Sequence, residues 1–165
     1  MPGETRKKIS IFAWFPILVA VLVFLTDQAT KFFIIRSLGF SESIPILKNI
    51  FHLTLVHNYG AAFGMLKYKL PVLVLASLVA AFLIGLHFKK NFKNPLTLND
   101  IALSLILGGA LGNLLDRLRL GYVVDFLDFR IWPVFNVADS AITIGAIIIA
   151  WRVLLCGQKS ARSAR

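Results

Sequence analysis

Two aspartates have the type and surroundings to do chemistry. Asp125 lies in GYVVDFLDF, flanked by Val123, Val124, Phe126 and Leu127, with no cation adjacent. Desolvation without a local partner raises a carboxylate pKa, which suits proton transfer. Asp139 lies in FNVADSA, one or two turns into an apolar helix, with Asn136 and Thr143 on its face at i−3 and i+4. A bare Asp inside a span needs partners, which Asn136 or a second acid could supply; a polar clasp between helices is the lesser reading of Asp139 alone. The short connection from the third apolar run to the fourth brings Asp125 back to the same helix end, and the clasp reading weakens. Two carboxylates in one poorly hydrated pocket do not both ionise, so one holds the proton. Such a pair can activate a water and protonate a leaving group, as an aspartic protease does.

Other polar residues collect at the same ends of the apolar runs. Asp27 and Lys31 are four apart and share a helix face. They read as an ion pair at the membrane boundary with Lys31 snorkelling outward, or as groups that order the site or meet a lipid head group. Asn113, Asp116 and Arg117 occur in GNLLDR on one helical face, with Asp116 and Arg117 as mutually paired scaffold. Asn58, Gly60 and Asn136 accompany them. Asp128, near Arg130, reads as a solvated surface acid. His52 and His57 read as strand-face residues, and His87 sits at the far end of the second apolar run. The single cysteine, Cys156, reads as lipid-facing or packing filler. The sequence holds no G-x-S-x-G, no H-E-x-x-H and no Cys/His metal spacing, so neither metal nor cofactor is expected.

These residues need a membrane to hold them. The chain has 165 residues, 58% hydrophobic and 16% charged. Soluble domains sit near about half apolar and about a quarter charged. Apolar runs at about 11–35, 70–88, 96–117 and 133–155 are each long enough to span a bilayer. Pro133 suits the first turn of the fourth. A cleaved signal peptide is rejected for the first run, because FLTDQATKFF offers no small-x-small site. The net charge of +10 sits largely in short clusters between spans, not on a surface fit for nucleic acid. Arg6, Lys7 and Lys8, then Lys89, Lys90 and Lys93, then Lys159, Arg162 and Arg165 fall on one side of four spans. The positive-inside rule makes that side cytoplasmic. Both termini are then cytoplasmic, and the polar residues gather near the outer face. The alternation in FHLTLVHN predicts a half-buried strand within an outer β element at about 40–66, and Gly60 and Gly64 bracket a turn. Residues 119–130 read as a short outer loop. The fold class is therefore an all-α membrane protein: four transmembrane helices with a small extracytoplasmic β element. Residues 1–157 form one membrane-embedded domain, and 158–165 read as a disordered cytoplasmic tail.

Five blocks then resemble one family. DQATK ends the first span, VHNYGAAFG lies in the outer segment, GNLLDR ends the third span, VVDFLDF follows, and FNVADS opens the fourth. In this order and spacing the chain resembles bacterial lipoprotein signal peptidases (signal peptidase II). The resemblance implies an aspartyl endopeptidase of the inner membrane. It would remove signal peptides from prolipoproteins, N-terminal to the diacylglyceryl-modified cysteine. The family's catalytic pair falls on Asp125 and Asp139. Its supporting residues fall on Asp27, Lys31, Asn58, Gly60, Asn113, Asp116, Arg117 and Asn136. It implies no metal and globomycin-type cyclic peptides as inhibitors; membrane lipid is the expected surroundings and a monomer the expected state. A proton-coupled transporter is the rival reading. It predicts acids through the depth of the membrane, whereas Asp100 is nearly alone in the cytoplasmic half.

Overall fold

A computed structural model of the chain describes residues 14–60 and 66–163, with side chains as far as residue 155. Four helices in it are long and apolar enough to cross a membrane. α1 spans Phe15–Ser37 and α2 spans Leu70–Asn91, each with a proline in its first turn, where a missing N–H leaves no bond unmade. α3, Leu98–Leu120, starts on a capping box between Thr97 and Asp100 and stops at Gly121, whose φ of 80° suits only glycine well.

α4 spans Val137–Ser163. Two sequence expectations change here. Pro133 precedes the helix instead of opening it, because Phe135 is held in a bridge to Leu127 and Asn136 caps the first turn. Helical backbone also continues through Gly157 to Ser163, where a disordered tail is expected from residue 158. One glycine disfavours a helix by only about 1 kcal/mol relative to alanine, and no proline follows. The Cys156 side chain and Gly64 lie outside the described residues.

α3 is the hub of the bundle, packing on α1, α4 and α2. Glycines let the backbones meet, as expected where helices associate in lipid. A Cβ at Gly108 would strike the carbonyl of Ala20, one at Gly109 the carbonyl of Ala138, and one at Gly145 the carbonyl of Ala102. α2 buries only Leu73 and Ile84 and turns most of its surface outward.

Three antiparallel strands close one end of the bundle, in the order β1 (Ser43–Leu47), β2 (Phe51–Asn58), β3 (Val123–Asp128). The first two lie within the expected β element. The third replaces the expected loop over 119–130. Five of its six residues are buried, so it shows no apolar–polar alternation by which to be read. One sheet face packs Leu55, Val124 and Phe126 on Ile34 and Leu38 at the end of α1. In each pair of the β2–β3 ladder the side chains share a face, and Val56 lies opposite Asp125. Asp125 therefore leaves the face opposite to Val124.

Candidate active site

Five elements deliver the site. α1 supplies Asp27, Gln28 and Lys31 from its last turns. α3 supplies Asn113, Asp116 and Arg117. β3 supplies Asp125, and the start of α4 supplies Asn136 and Asp139. All the supporting residues named from the sequence converge here, together with Asn58 and Gly60 at the end of β2.

Lys31 lies at the centre of the first group. It is 2% exposed and Asp27 is 0% exposed, so Lys31 does not snorkel outward. Its ammonium is 2.8 Å from Asp27 Oδ2, 2.8 Å from Asp116 Oδ2, and donates to Asn113 Oδ1 at 2.9 Å. Asp116 thus pairs with the lysine 85 positions earlier (116 minus 31), not with its neighbour Arg117. The reason is direction: adjacent helical residues point about 100° apart. Arg117 turns the other way and donates to the carbonyl of Gly60 at 3.2 Å.

The two lysine-bound acids each hold the backbone beside a second acid. Asp27 Oδ1 accepts the Ala138 N–H at 2.9 Å, one residue before Asp139. Asp116 Oδ2 accepts the Val124 N–H at 3.1 Å, one residue before Asp125. Asp27 also satisfies one of the open N–H groups at the α4 N-terminus, where the helix dipole favours an anion. Gln28, which composition alone does not mark, donates to Asp27 Oδ2 at 3.1 Å, Asp116 Oδ1 at 3.1 Å and the Gly112 carbonyl at 3.2 Å. Gly112 is required by the same contact, since a Cβ there would run into the Asp27 carboxylate. The sequence signal for Gln28 was its place inside DQATK, between two residues already singled out.

Asp125 and Asp139 receive neutral donors. Asn58 Nδ2 donates to Asp125 Oδ2 at 2.9 Å, and Asn136 Nδ2 donates to Asp125 Oδ1 at 2.7 Å. Asn113 Nδ2 donates to Asp139 Oδ1 at 2.8 Å. Asn136 also accepts the Asp139 N–H at 2.8 Å, which makes it the α4 N-cap. One asparagine therefore touches both acids. Among the described residues, none of the ion pairs includes Asp125 or Asp139. Burial, with Asp139 adding to it, pushes the Asp125 carboxyl up to about 7, against the pull of Asn58 and Asn136. Asp125 is 1% exposed. Asp139 stands in the first turn of α4, not one or two turns in, and Thr143 faces outward.

Asp128 is not a solvated acid. It is 6% exposed, accepts from Thr54 Oγ1 at 2.8 Å and from the Arg130 N–H at 2.8 Å, and pairs with Arg130 Nη1 at 3.0 Å. Burial raises its carboxyl, but these donors outweigh that and hold it below the usual carboxylate range. It ties the sheet to the following loop and takes no part in the cluster around Asp125. His52 and His57 are on β2, as expected. His87 reaches across the α2–α3 hairpin to Asp100 at 2.8 Å, far from the site.

Comparison with known proteins gives the chain its relatives. The profile of the signal peptidase (SPase) II family matches residues 19–155. The lipoprotein signal peptidase of Moorella thermoacetica is 50% identical over 139 residues, covering 84% of this chain and 92% of that one. The lipoprotein signal peptidase of Pelotomaculum thermopropionicum is 48% identical over 153 residues, covering 92% of this chain and 99% of that one. A bacterial membrane enzyme solved at 1.9 Å by the in meso method superposes with a TM-score of 0.76 at 35% identity, covering 92% of this chain and 98% of that one. The fold, the spans and these likenesses agree, and the chain belongs to the signal peptidase II family of membrane peptidases.

Proposed function

We propose that Asp125 and Asp139 are the catalytic pair with which this chain removes signal peptides from prolipoproteins, N-terminal to the diacylglyceryl-modified cysteine. The observation that carries this is the contrast in partners. The Asp125 and Asp139 carboxylates accept from asparagine amides, with Asp125 pushed up to about 7. A pair so placed shares one proton near neutral pH.

The ionised member takes a proton from water as the water oxygen bonds to the scissile carbonyl carbon. The protonated member hydrogen-bonds the carbonyl oxygen and stabilises the charge that develops there. Collapse of the tetrahedral intermediate breaks the C–N bond, and a proton from the pair goes to the departing nitrogen. Asn58, Asn113, Asn136 and Arg117 fix the acids and the substrate backbone. Asp27, Lys31, Asp116 and Gly60 hold the elements that carry them.

The basic clusters on one side of the spans support the bacterial inner membrane as the location, with both termini cytoplasmic and the site at the outer face. The substrate then enters from the bilayer with its acyl chains left among membrane lipids, and the sheet covers the scissile region. A globomycin-type cyclic peptide would compete for that space, and a monomer contains every residue invoked. Cleavage of a diacylglyceryl-modified prolipoprotein by Asp125→Asn and Asp139→Asn proteins is the test. Loss of turnover in both supports the pair, and near wild-type turnover in either removes it.

A further inference from the structure

We propose that the stacked rings of His57 and Tyr122 are a positioning device for the catalytic pair, acting through Asn58. This rests on the reading of Asp125 and Asp139 given above.

Asn58 is the last residue of β2, and it pairs with Val123 at the end of the β2–β3 ladder. A register irregularity between Leu53 and Val56 separates that end from the rest of the ladder. Beyond it the ladder holds the strand end through three pairs, Val56–Asp125, His57–Val124 and Asn58–Val123, and side chains can add a further hold. The rings supply one. His57 and Tyr122 stack with centroids 3.9 Å apart and planes 22° apart. Phe40 covers His57 at 4.6 Å, and Tyr59 lies 5.5 Å from Tyr122. The stack joins the residue before Asn58 to the residue before β3.

Two site contacts depend on that strand end. Asn58 Nδ2 reaches Asp125 Oδ2, and the Gly60 N–H donates back to Asn58 Oδ1 at 2.9 Å. The Gly60 carbonyl in turn accepts from Arg117. A displacement of about 1 Å at a positioning group is enough to cost about a hundredfold in rate. Burial lowers the His57 pKa, so the ring is neutral at pH 7 and adds no charge near the pair. The charged groups that do face Asp125 are Asp139 from α4, Lys31 from α1 and Arg117 from α3. Asp139 and Lys31 take their partners away from the strand end, whereas Arg117 is tied to it through Gly60.

The test compares Tyr122→Leu with Tyr122→Phe, and His57→Leu with His57→Phe, in the full-length protein in lipid. The expected result is a fall of about tenfold in kcat for each leucine variant with KM little changed, and recovery in each phenylalanine variant. The acid limb of the leucine variants' pH–rate profile moves to higher pH, because ionised Asp125 loses the Asn58 donor. Wild-type kcat and profile in both leucine variants overturn the proposal. Equal loss in the leucine and phenylalanine variants also overturns it, since the stack is then not the cause. If Tyr122→Leu does not fold, the His57 pair carries the same comparison. An Asp125→Asn control separates the two readings: if it stays active, the catalytic pair itself is wrong.

Discussion

Two pairs of aspartates meet at the sheet end of the bundle, and they are surrounded in opposite ways. Asp27 and Asp116 share one buried ammonium at 2.8 Å each. Asp125 and Asp139 are held by asparagines. Each lysine-bound acid grips the backbone N–H one residue before a lysine-free one. The difference separates two tasks within one cluster. An acid locked to a buried cation fixes geometry, because removing either partner leaves an uncompensated charge. An acid held by neutral amides can change its protonation without dismantling its surroundings.

Substitutions should separate the two pairs by observable. Asp125→Asn is expected to lower turnover by about 10³-fold while the protein stays folded. The sign of its effect on stability follows from the raised carboxyl. A raised carboxylate holds its proton more tightly in the folded state, so its contribution is fully present below about pH 4. That contribution is lost as pH rises through about 7. Thermal melts across this window should show Asp125→Asn gaining on the wild type as pH rises. Lys31→Met is expected to act the other way, through stability. Breaking a buried ion pair costs about 3–5 kcal/mol, and here two carboxylates lose one partner. A melt in lipid or detergent checks it; an unchanged Tm would remove the scaffold role.

Smaller effects sharpen the contrast. Asn58→Ala removes one donor from Asp125 and should lower kcat by about a hundredfold. It should also move the acid limb of the pH–rate profile upward, since the Asn58 bond favours the ionised form. At the far end of the bundle, partly exposed His87 and buried Asp100 form a clasp between α2 and α3. His87→Ala should cost about 1 kcal/mol of stability. Its cleavage rate should remain within about twofold of wild type, because it shares no partner with the site. A large loss of rate there would mean that the α2–α3 hairpin communicates with the pair.

The spans and the acids of the proposed catalytic pair were legible because lipid makes polar residues conspicuous. An Asp in an apolar run needs an explanation, so Asp27, Asp125 and Asp139 declared themselves. Their pairing was less legible. Sequence neighbours suggested Arg117 for Asp116, but helix geometry turns the two apart, and the partner comes from another helix. Lys31 looked able to snorkel because its burial depends on α3 and α4 closing over it. β3 was hidden because it is buried on both faces and so lacks a period-two pattern. Asp128 looked solvated because its partner Thr54 is 74 positions away. Gln28 raised no alarm, since a neutral amide near a helix end is unremarkable until the three acceptors around it are seen.

The division between the pairs is tested most directly by measuring cleavage rate and Tm on the same preparations of Asp139→Asn and Asp116→Asn. The result predicted is a loss of about 10³-fold in rate at an undiminished Tm for Asp139→Asn, and a Tm lowered by about 5–10 °C for Asp116→Asn. An Asp139→Asn protein that cleaves prolipoprotein within about tenfold of wild type would contradict the account.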